Sequence, residues 1–181
     1  MRRIAFRLLP LLCLALAACG GGGGAGHPGD YVGGAAPVEC APFARALTGV
    51  SLSGPAADWW QQAEGRYTRM QRPEVGSLLV LRRSGRLPSG HVAVVSQVLS
   101  RRQIMVTQAN WVHHRVTADQ PVIDVSDNGD WSAVQVWWPP SGQMGVSDYP
   151  AFGFIRPDHP IGHDRLVATT PAAVRIAEGG W

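Results

Sequence analysis

Residues 89–111, SGHVAVVSQVLSRRQIMVTQANW, decide the fold class. They contain two apolar segments rich in Val and Ile, His91–Val98 and Gln103–Thr107, separated by a short polar link. Segments of this composition and length predict β-strands, and so short a link predicts an antiparallel hairpin. The start of the first strand then lies beside the end of the second. His91 is therefore expected close to Gln108 and Asn110.

The flanking sequence extends this hairpin into an α+β domain. Upstream, apolar residues at helical spacing predict two helices, Cys40–Leu47 and Ala56–Ala63. Helices followed by consecutive strands favour an α+β fold, with N-terminal helices packed on an antiparallel sheet of about five to six strands. Short apolar runs between Gly, Pro and Ser clusters predict the remaining strands: Ser77–Leu81, Pro121–Val125, Ala133–Trp138 and Phe152–Ile155.

The two ends of the chain differ in composition from this domain. Residues 1–18 combine an arginine-rich start with a short apolar stretch, as in a secretory signal peptide, and Cys19 follows. The Gly-rich residues 19–36 are predicted to form a flexible tether. Residues 37–157 are expected to form the folded domain, and residues 158–181 a loosely attached C-terminal tail.

The sequence around Cys19 resembles the lipobox of bacterial lipoproteins. It reads Leu16-Ala17-Ala18-Cys19, and the resemblance implies that Cys19 is acylated and becomes the mature N-terminus. An ordinary signal peptide with an incidental cysteine is the alternative. Gly20 follows Cys19, which by resemblance to enterobacterial lipoproteins implies the outer membrane, facing the periplasm.

The charge balance argues against nucleic-acid binding. The whole chain carries a net charge of +3 from 16 basic and 13 acidic residues. Three of the basic residues lie in residues 1–18, so the processed chain would carry 13 of each sign. A neutral surface lacks the positive charge that nucleic acids attract. We expect no nucleic-acid partner, and no metal or other cofactor, because the histidines and the single remaining thiol form no ligand pattern.

Cys40 is the candidate nucleophile. Cys13 leaves with the signal and Cys19 would carry the lipid, so Cys40 is the one free thiol expected in the mature protein. A lone thiol in an oxidising compartment favours a reactive role over a packing role, which is the alternative. Its predicted position at a helix start is expected to lower the thiol pKa, and the free N–H groups there can form an oxyanion hole.

His91 is the candidate general base, because a thiol nucleophile needs a group that accepts and returns a proton. Its ring in turn needs an orienting partner. Asn110 and Gln108 on the following strand are both in position for that role, alone or together. Trp111, next in sequence, is a candidate for the wall of a substrate groove.

Together these segments resemble the CHAP family of cysteine, histidine-dependent amidohydrolases/peptidases. The resemblance is carried by Glu39-Cys40, Pro73-x-x-Gly76, Gly90-His91-Val92-Ala93-Val94-Val95 and Ala109-Asn110-Trp111. It implies a papain-like fold, with Cys40 as nucleophile, His91 as general base and Asn110 as a polar residue on the next strand. Many members carry Glu two residues before that Asn, where this chain has Gln108.

The resemblance also implies a substrate and a reaction. The expected protein is a lipid-anchored, monomeric thiol hydrolase that cleaves an amide bond in peptidoglycan. It would act as an N-acetylmuramoyl-L-alanine amidase or as an endopeptidase on the stem peptide or cross-bridge. Because Gln108 replaces the acid, a catalytically weak or inactive lipoprotein that binds peptidoglycan is the alternative.

Overall fold

The computed structural model describes residues 31–32 and 37–179. The predicted signal peptide, the lipidation site Cys19 and most of the predicted tether lie outside the described residues. Within this part of the chain, no helix is both long enough and apolar enough to cross a bilayer. The domain boundaries drawn from composition remain predictions.

The described residues form an α+β fold with three α-helices and eight strands. The helices are α1 (Cys40–Thr48), α2 (Trp59–Gln62) and α3 (His163–Glu178). The strands are β1 (Thr68–Met70), β2 (Leu78–Leu81), β3 (His91–Ser100), β4 (Gln103–Ala109), β5 (Val116–Asp124), β6 (Ala133–Trp138), β7 (Gln143–Met144) and β8 (Tyr149–Arg156).

The strands form one antiparallel sheet that closes on itself. Their order is β1-β8-β2-β3-β4-β5-β6-β7, and β8 also pairs with β6. The β8–β6 pairing closes the six strands from β8 to β6 in this order into a barrel. β1 pairs with β8 and β7 pairs with β6, so both lie beside the barrel. The α+β class and the six predicted strands are confirmed, but the expected sheet of five to six strands is too small. The two strands that the sequence did not predict have three and two residues, too short for alternation to be recognised.

Alternation along the strands separates two cores. In β2, Leu79 and Leu81 point into the barrel, whereas Leu78 and Val80 pack against the helices. The same alternation in β3 sends Ala93 and Val95 into the barrel. His91 lies two residues before Ala93 and is the first residue of β3. Its side chain is therefore on the barrel side of the sheet, at the rim.

The helix that carries Cys40 matches its prediction closely. It runs from Cys40 to Thr48 and ends at Gly49, whose φ of 74° lets its N–H bond back to the Arg45 carbonyl. Phe43, Ala44 and Leu47 are its buried face. The second predicted helix is shorter than expected, since a 3₁₀ turn over Ala56–Asp58 replaces its first half.

The C-terminal segment is not the loosely attached tail that its composition predicted. Residues His163–Glu178 form α3, which packs against α1. Its buried residues are spaced three and four apart, as on one face of a helix: Leu166, Thr170, Ala173, Val174 and Ala177. Pro171 lies inside this helix and hid the pattern from sequence inspection, because proline usually ends a helix.

Gly90 holds the chain immediately before His91. Its φ is 71°, and a Cβ there would lie 2.6 Å from the Cβ of Ala57 and 2.6 Å from the Leu81 carbonyl oxygen. We expect Gly90→Ala to lower the free energy of unfolding by about 2 kcal/mol or more, from backbone strain and from the clash together. Gly65→Ala is the matched control, because Gly65 has a φ of 68° and open space around it. Equal losses in the two variants, measured by denaturant unfolding, would contradict the close packing at Gly90.

Candidate active site

The thiol of Cys40 lies where α1 meets the start of β3. Cys40 is the first residue of α1, is partly buried and packs against the helix-side core. Backbone N–H groups of Val92, Ala41 and Cys40 itself act on the sulfur as hydrogen-bond donors. Since Val92 directly follows His91, this contact brings the two predicted catalytic residues into one site.

The pKa of the Cys40 thiol shifts in the opposite direction from the one expected. Burial raises the pKa of the Cys40 thiol above its ordinary value, and the negative charge of Glu39 raises it further. The N–H groups of Val92 and Ala41 lower it, but by less. The sequence-based expectation of a lowered pKa is therefore wrong, because the helix start that stabilises a thiolate is itself shielded from water. Cys40 rests as a neutral thiol.

His91 is the most deeply buried titratable group of the site. It is 4% exposed, and its Nε2 lies 2.8 Å from Oε1 of Gln108. An amide oxygen only accepts hydrogen bonds, so Nε2 carries the proton and Nδ1 keeps its lone pair. Burial lowers the pKa of His91 to about 4, although the Gln108 hydrogen bond and the Glu39 charge act in the opposite direction. His91 is therefore a neutral imidazole at pH 7.

Gln108 is itself held by a buried polar network. Its Nε2 donates to Oε1 of Gln120 over 2.5 Å, and the same oxygen accepts from the Thr117 hydroxyl over 2.7 Å. Gln120 lies on β5 two residues before Val122, which faces the barrel interior. The sequence analysis did not find Gln120 or Thr117. β5 also carries Asp119 and Asp124, so the strand's polar residues gave no sign of which ones stand behind Gln108.

Asn110 does not orient His91. Its Nδ2 donates to Oε2 of Glu39 over 2.7 Å, and its Oδ1 accepts from the backbone N–H of His114 over 2.9 Å. The reason is local: β4 ends at Ala109, and Asn110 has a φ of 59°, so the strand geometry that would align it with Gln108 is lost. The expectation that placed Asn110 on the ring is corrected to Gln108, the other residue considered for that role.

Glu39 is a neighbour that the sequence analysis did not weigh as an active-site group. Its carboxylate is exposed and held by Asn110, and its charge acts on both Cys40 and His91. A negative charge there disfavours the thiolate and favours the imidazolium. Asn110 thus belongs to the site through Glu39 rather than through the histidine.

Aromatic side chains continue the site away from His91. The Trp111 ring meets the His91 ring edge-on at 5.1 Å and the Tyr149 ring at 5.0 Å. Its Nε1 donates to the Trp137 carbonyl over 3.1 Å, which holds the indole in place. Trp111 thereby connects the histidine to a partly buried aromatic surface. Its place in the wall of a substrate groove stays a prediction. Among the described residues, no three His, Cys, Asp or Glu side chains converge as metal ligands would.

The buried histidine makes folding stability sensitive to acid. The unfolded chain binds a proton on this histidine near pH 6.5, the folded chain only near pH 4. Between these values the unfolded state holds more protons, so stability falls as the pH falls. We expect this group alone to remove about 2 kcal/mol between pH 7 and pH 4.5. Denaturant unfolding of wild type and His91→Gln at both pH values isolates the contribution, and an equal loss in both proteins would contradict it.

Comparison with known proteins identifies this part of the chain. No curated protein matches it. Residues 29–110 match the family model of the CHAP domain. The matched range includes α1 with Cys40, the start of β3 with His91 and the end of β4 with Gln108. Strands β5 to β8 and helix α3 lie beyond it. Over residues 29–110, which include both Cys40 and His91, the chain is therefore similar to the CHAP domain family.

Proposed function

We propose that this protein hydrolyses an amide bond in peptidoglycan, with Cys40 as nucleophile and His91 as general base. The match of residues 29–110 to the CHAP family model suggests amidase or peptidase activity on peptidoglycan. The observation that carries the proposal is the state of His91. It is buried, neutral and hydrogen-bonded through Nε2, beside the segment that contacts the Cys40 thiol. Its free Nδ1 is the group that can take the thiol proton.

The reaction begins from two neutral groups. As the Cys40 sulfur attacks the carbonyl carbon of the scissile amide, Nδ1 of His91 accepts the thiol proton and the ring becomes an imidazolium. The imidazolium then gives this proton to the leaving amine, the C–N bond breaks and a thioester remains on Cys40. Water, deprotonated by His91, attacks the thioester, and the returning proton restores the thiol as the carboxylic acid leaves.

The surroundings stabilise the charges that this path creates. Backbone N–H groups at the start of α1 are available to the oxyanion formed on the carbonyl oxygen. The negative charge of Glu39 favours the imidazolium, so it offsets part of the cost of charging a buried ring. Trp111 and Tyr149 form an aromatic wall next to His91, and we assign to this wall the flanking sugar or peptide.

Digestion of purified peptidoglycan tests the proposal. The wild-type protein is expected to release fragments whose new termini identify the bond: a free lactyl carboxylate on muramic acid paired with a new alanine amine for an amidase, or termini within peptides for an endopeptidase. Cys40→Ala is the matched control. If fragments appear equally with both proteins, Cys40 is not the nucleophile.

The alternative is a lipoprotein that binds peptidoglycan with little or no catalysis. Two observations favour it: the raised pKa of the Cys40 thiol, and a neutral amide, Gln108, as the partner of His91. A neutral partner stabilises an imidazolium less than a carboxylate does. Sedimentation with peptidoglycan separates the two functions, since a binding protein sediments with the polymer, leaves it intact and behaves identically as Cys40→Ala.

We further propose that Cys19 anchors the protein to the cell envelope through lipid. Cys19→Ala is expected to move the protein from the membrane fraction to the soluble fraction, because the thioether-linked lipid can no longer form. Metabolic labelling with a fatty acid gives the second measurement, and label in wild type but not in the variant is expected. Wild-type protein in the soluble fraction without label would contradict the anchor. Gly21→Ala, two residues away, is the control.

A further inference from the structure

Three polar side chains are buried in a row behind His91, on the side away from solvent. Gln108 is 1% exposed, and Gln120 and Thr117 are both fully buried. Burying two amides and a hydroxyl is unfavourable unless they satisfy one another. The chain of contacts runs from the Thr117 hydroxyl to Gln120, from Gln120 to Gln108 and from Gln108 to the His91 ring.

The donors and acceptors in this row have a single direction. Oε1 of Gln120 accepts twice, from Thr117 and from Gln108. Gln108 must therefore turn its NH₂ group toward Gln120, which leaves its oxygen facing His91. That oxygen can only accept, so the ring proton is held on Nε2 and the lone pair on Nδ1.

We propose that Gln120 and Thr117 are positioning residues that select the Nε2-protonated tautomer of His91 by fixing the direction of the Gln108 amide. This inference rests on the proposed function for its consequence, since the selected tautomer is the one whose Nδ1 can accept the Cys40 proton. If both amides were reversed, Gln108 would donate to Nε2. The ring proton would then lie on Nδ1, and the thiol would have no base.

One polar group in this row has no partner among the described residues. Nε2 of Gln120 is buried there and makes no hydrogen bond to any of them. An unpaired buried donor is costly, and a methionine at this position would remove it. Gln120 is therefore less favourable for folding than an apolar residue of the same size would be at this position. This cost is the expected consequence of a side chain kept for what it does to Gln108.

Imidazole ¹⁵N NMR at pH 7 tests the proposal without relying on activity. The His91 signals are assigned by their absence in His91→Ala. Wild type is expected to show the proton on Nε2. In Gln120→Met, Gln108 loses its buried acceptor, its amide can reverse, and a large fraction of the ring is expected to carry the proton on Nδ1. Gln120→Glu is expected to keep the wild-type tautomer, with the proton on Nε2, because a carboxyl oxygen still accepts from Gln108.

Kinetics on a soluble peptidoglycan fragment gives the second measurement. Gln120→Met is expected to lower kcat about tenfold or more with little change in KM, since only the orientation of the base is affected. Thr117→Val removes one of the two hydrogen bonds to Gln120 and is expected to act in the same direction by a smaller factor. Thr170→Val is the matched control, because the buried Thr170 hydroxyl donates to the Leu166 carbonyl within α3, away from His91.

Each outcome decides the matter. A wild-type ring with its proton on Nδ1, or a Gln120→Met ring that keeps it on Nε2, overturns the proposal. If Gln120→Met does not fold, the same criterion applies to Thr117→Val, whose change is smaller. A ring that changes tautomer in a protein that cleaves no peptidoglycan supports the positioning role and rejects the proposed function, so the two failures are distinguishable.

Discussion

Cys40→Ala and His91→Ala are each expected to reduce the hydrolysis of peptidoglycan by about a thousandfold or more. Without the sulfur no thioester forms, and without the imidazole a thiol whose pKa is raised by burial stays protonated at neutral pH. Because the two residues act on one proton, the double variant is expected to be scarcely slower than either single variant. Release of new termini from a soluble fragment is the measurement.

Folding must be separated from chemistry in this comparison. Cys40→Ala removes only weak hydrogen bonds, because the sulfur is a poor acceptor for the N–H groups of Val92 and Ala41. Its melting temperature is therefore expected within a few degrees of wild type. His91→Ala leaves the buried Oε1 of Gln108 without its donor, which costs about 1–3 kcal/mol. Both are therefore assayed well below their melting temperatures. Losses that multiply in the double variant would show that Cys40 and His91 work independently and would contradict the shared proton transfer.

Gln108→Glu is expected to move the acid limb of the pH–rate profile upward by about one unit or more. The carboxylate would replace an amide oxygen that lies 2.8 Å from Nε2 of His91. A negative charge so close favours the imidazolium, so the pKa of His91 rises from about 4. The neutral base is then lost at a higher pH on acidification. Gln120 can adapt, since its unpaired Nε2 can turn to donate to the new carboxylate.

Two further variants control this result. Gln108→Leu removes the hydrogen bond that raises the pKa of His91, so its acid limb is expected to move downward while its rate falls. Asn110→Ala is expected to cost less activity than Gln108→Ala, because Asn110 holds Glu39 and not the ring. An unchanged profile in Gln108→Glu would mean that the introduced side chain carries no charge or does not reach His91.

The parts of the site that the sequence predicted depend on local patterns. The alternation in β3 and β4 and the short link between them predict an antiparallel pair, which brings His91 and Gln108 together across neighbouring strands. The helical spacing after Cys40 predicts α1 within one residue of its observed end. Each of these inferences uses only residues close together in the chain, where the period of the side chains is decided by the backbone geometry.

Asn110 shows where such reasoning stops. Asn110 is two residues after Gln108, and residues two apart share a face of a sheet only while the strand continues. β4 ends one residue earlier, and the left-handed backbone of Asn110 turns its side chain toward Glu39. In α3 the weakly apolar buried stripe of Leu166, Thr170, Ala173, Val174 and Ala177 was hidden by Pro171, which lies inside the helix without ending it. Only packing against α1 makes that weak stripe a helix of the core.

The sequence by itself determined the α+β class, the six longer strands and the helix that begins at Cys40. It narrowed the partner of His91 to Asn110 or Gln108, and the tertiary structure decided between them. The tertiary structure alone decided that β8 pairs with β6 to close the barrel, and that Gln120 and Thr117 stand behind Gln108. It also decided the protonation of the site. The pKa of a thiol or an imidazole depends on how much water the whole fold removes from it. For Cys40, burial outweighs the helix start on which the local prediction relied.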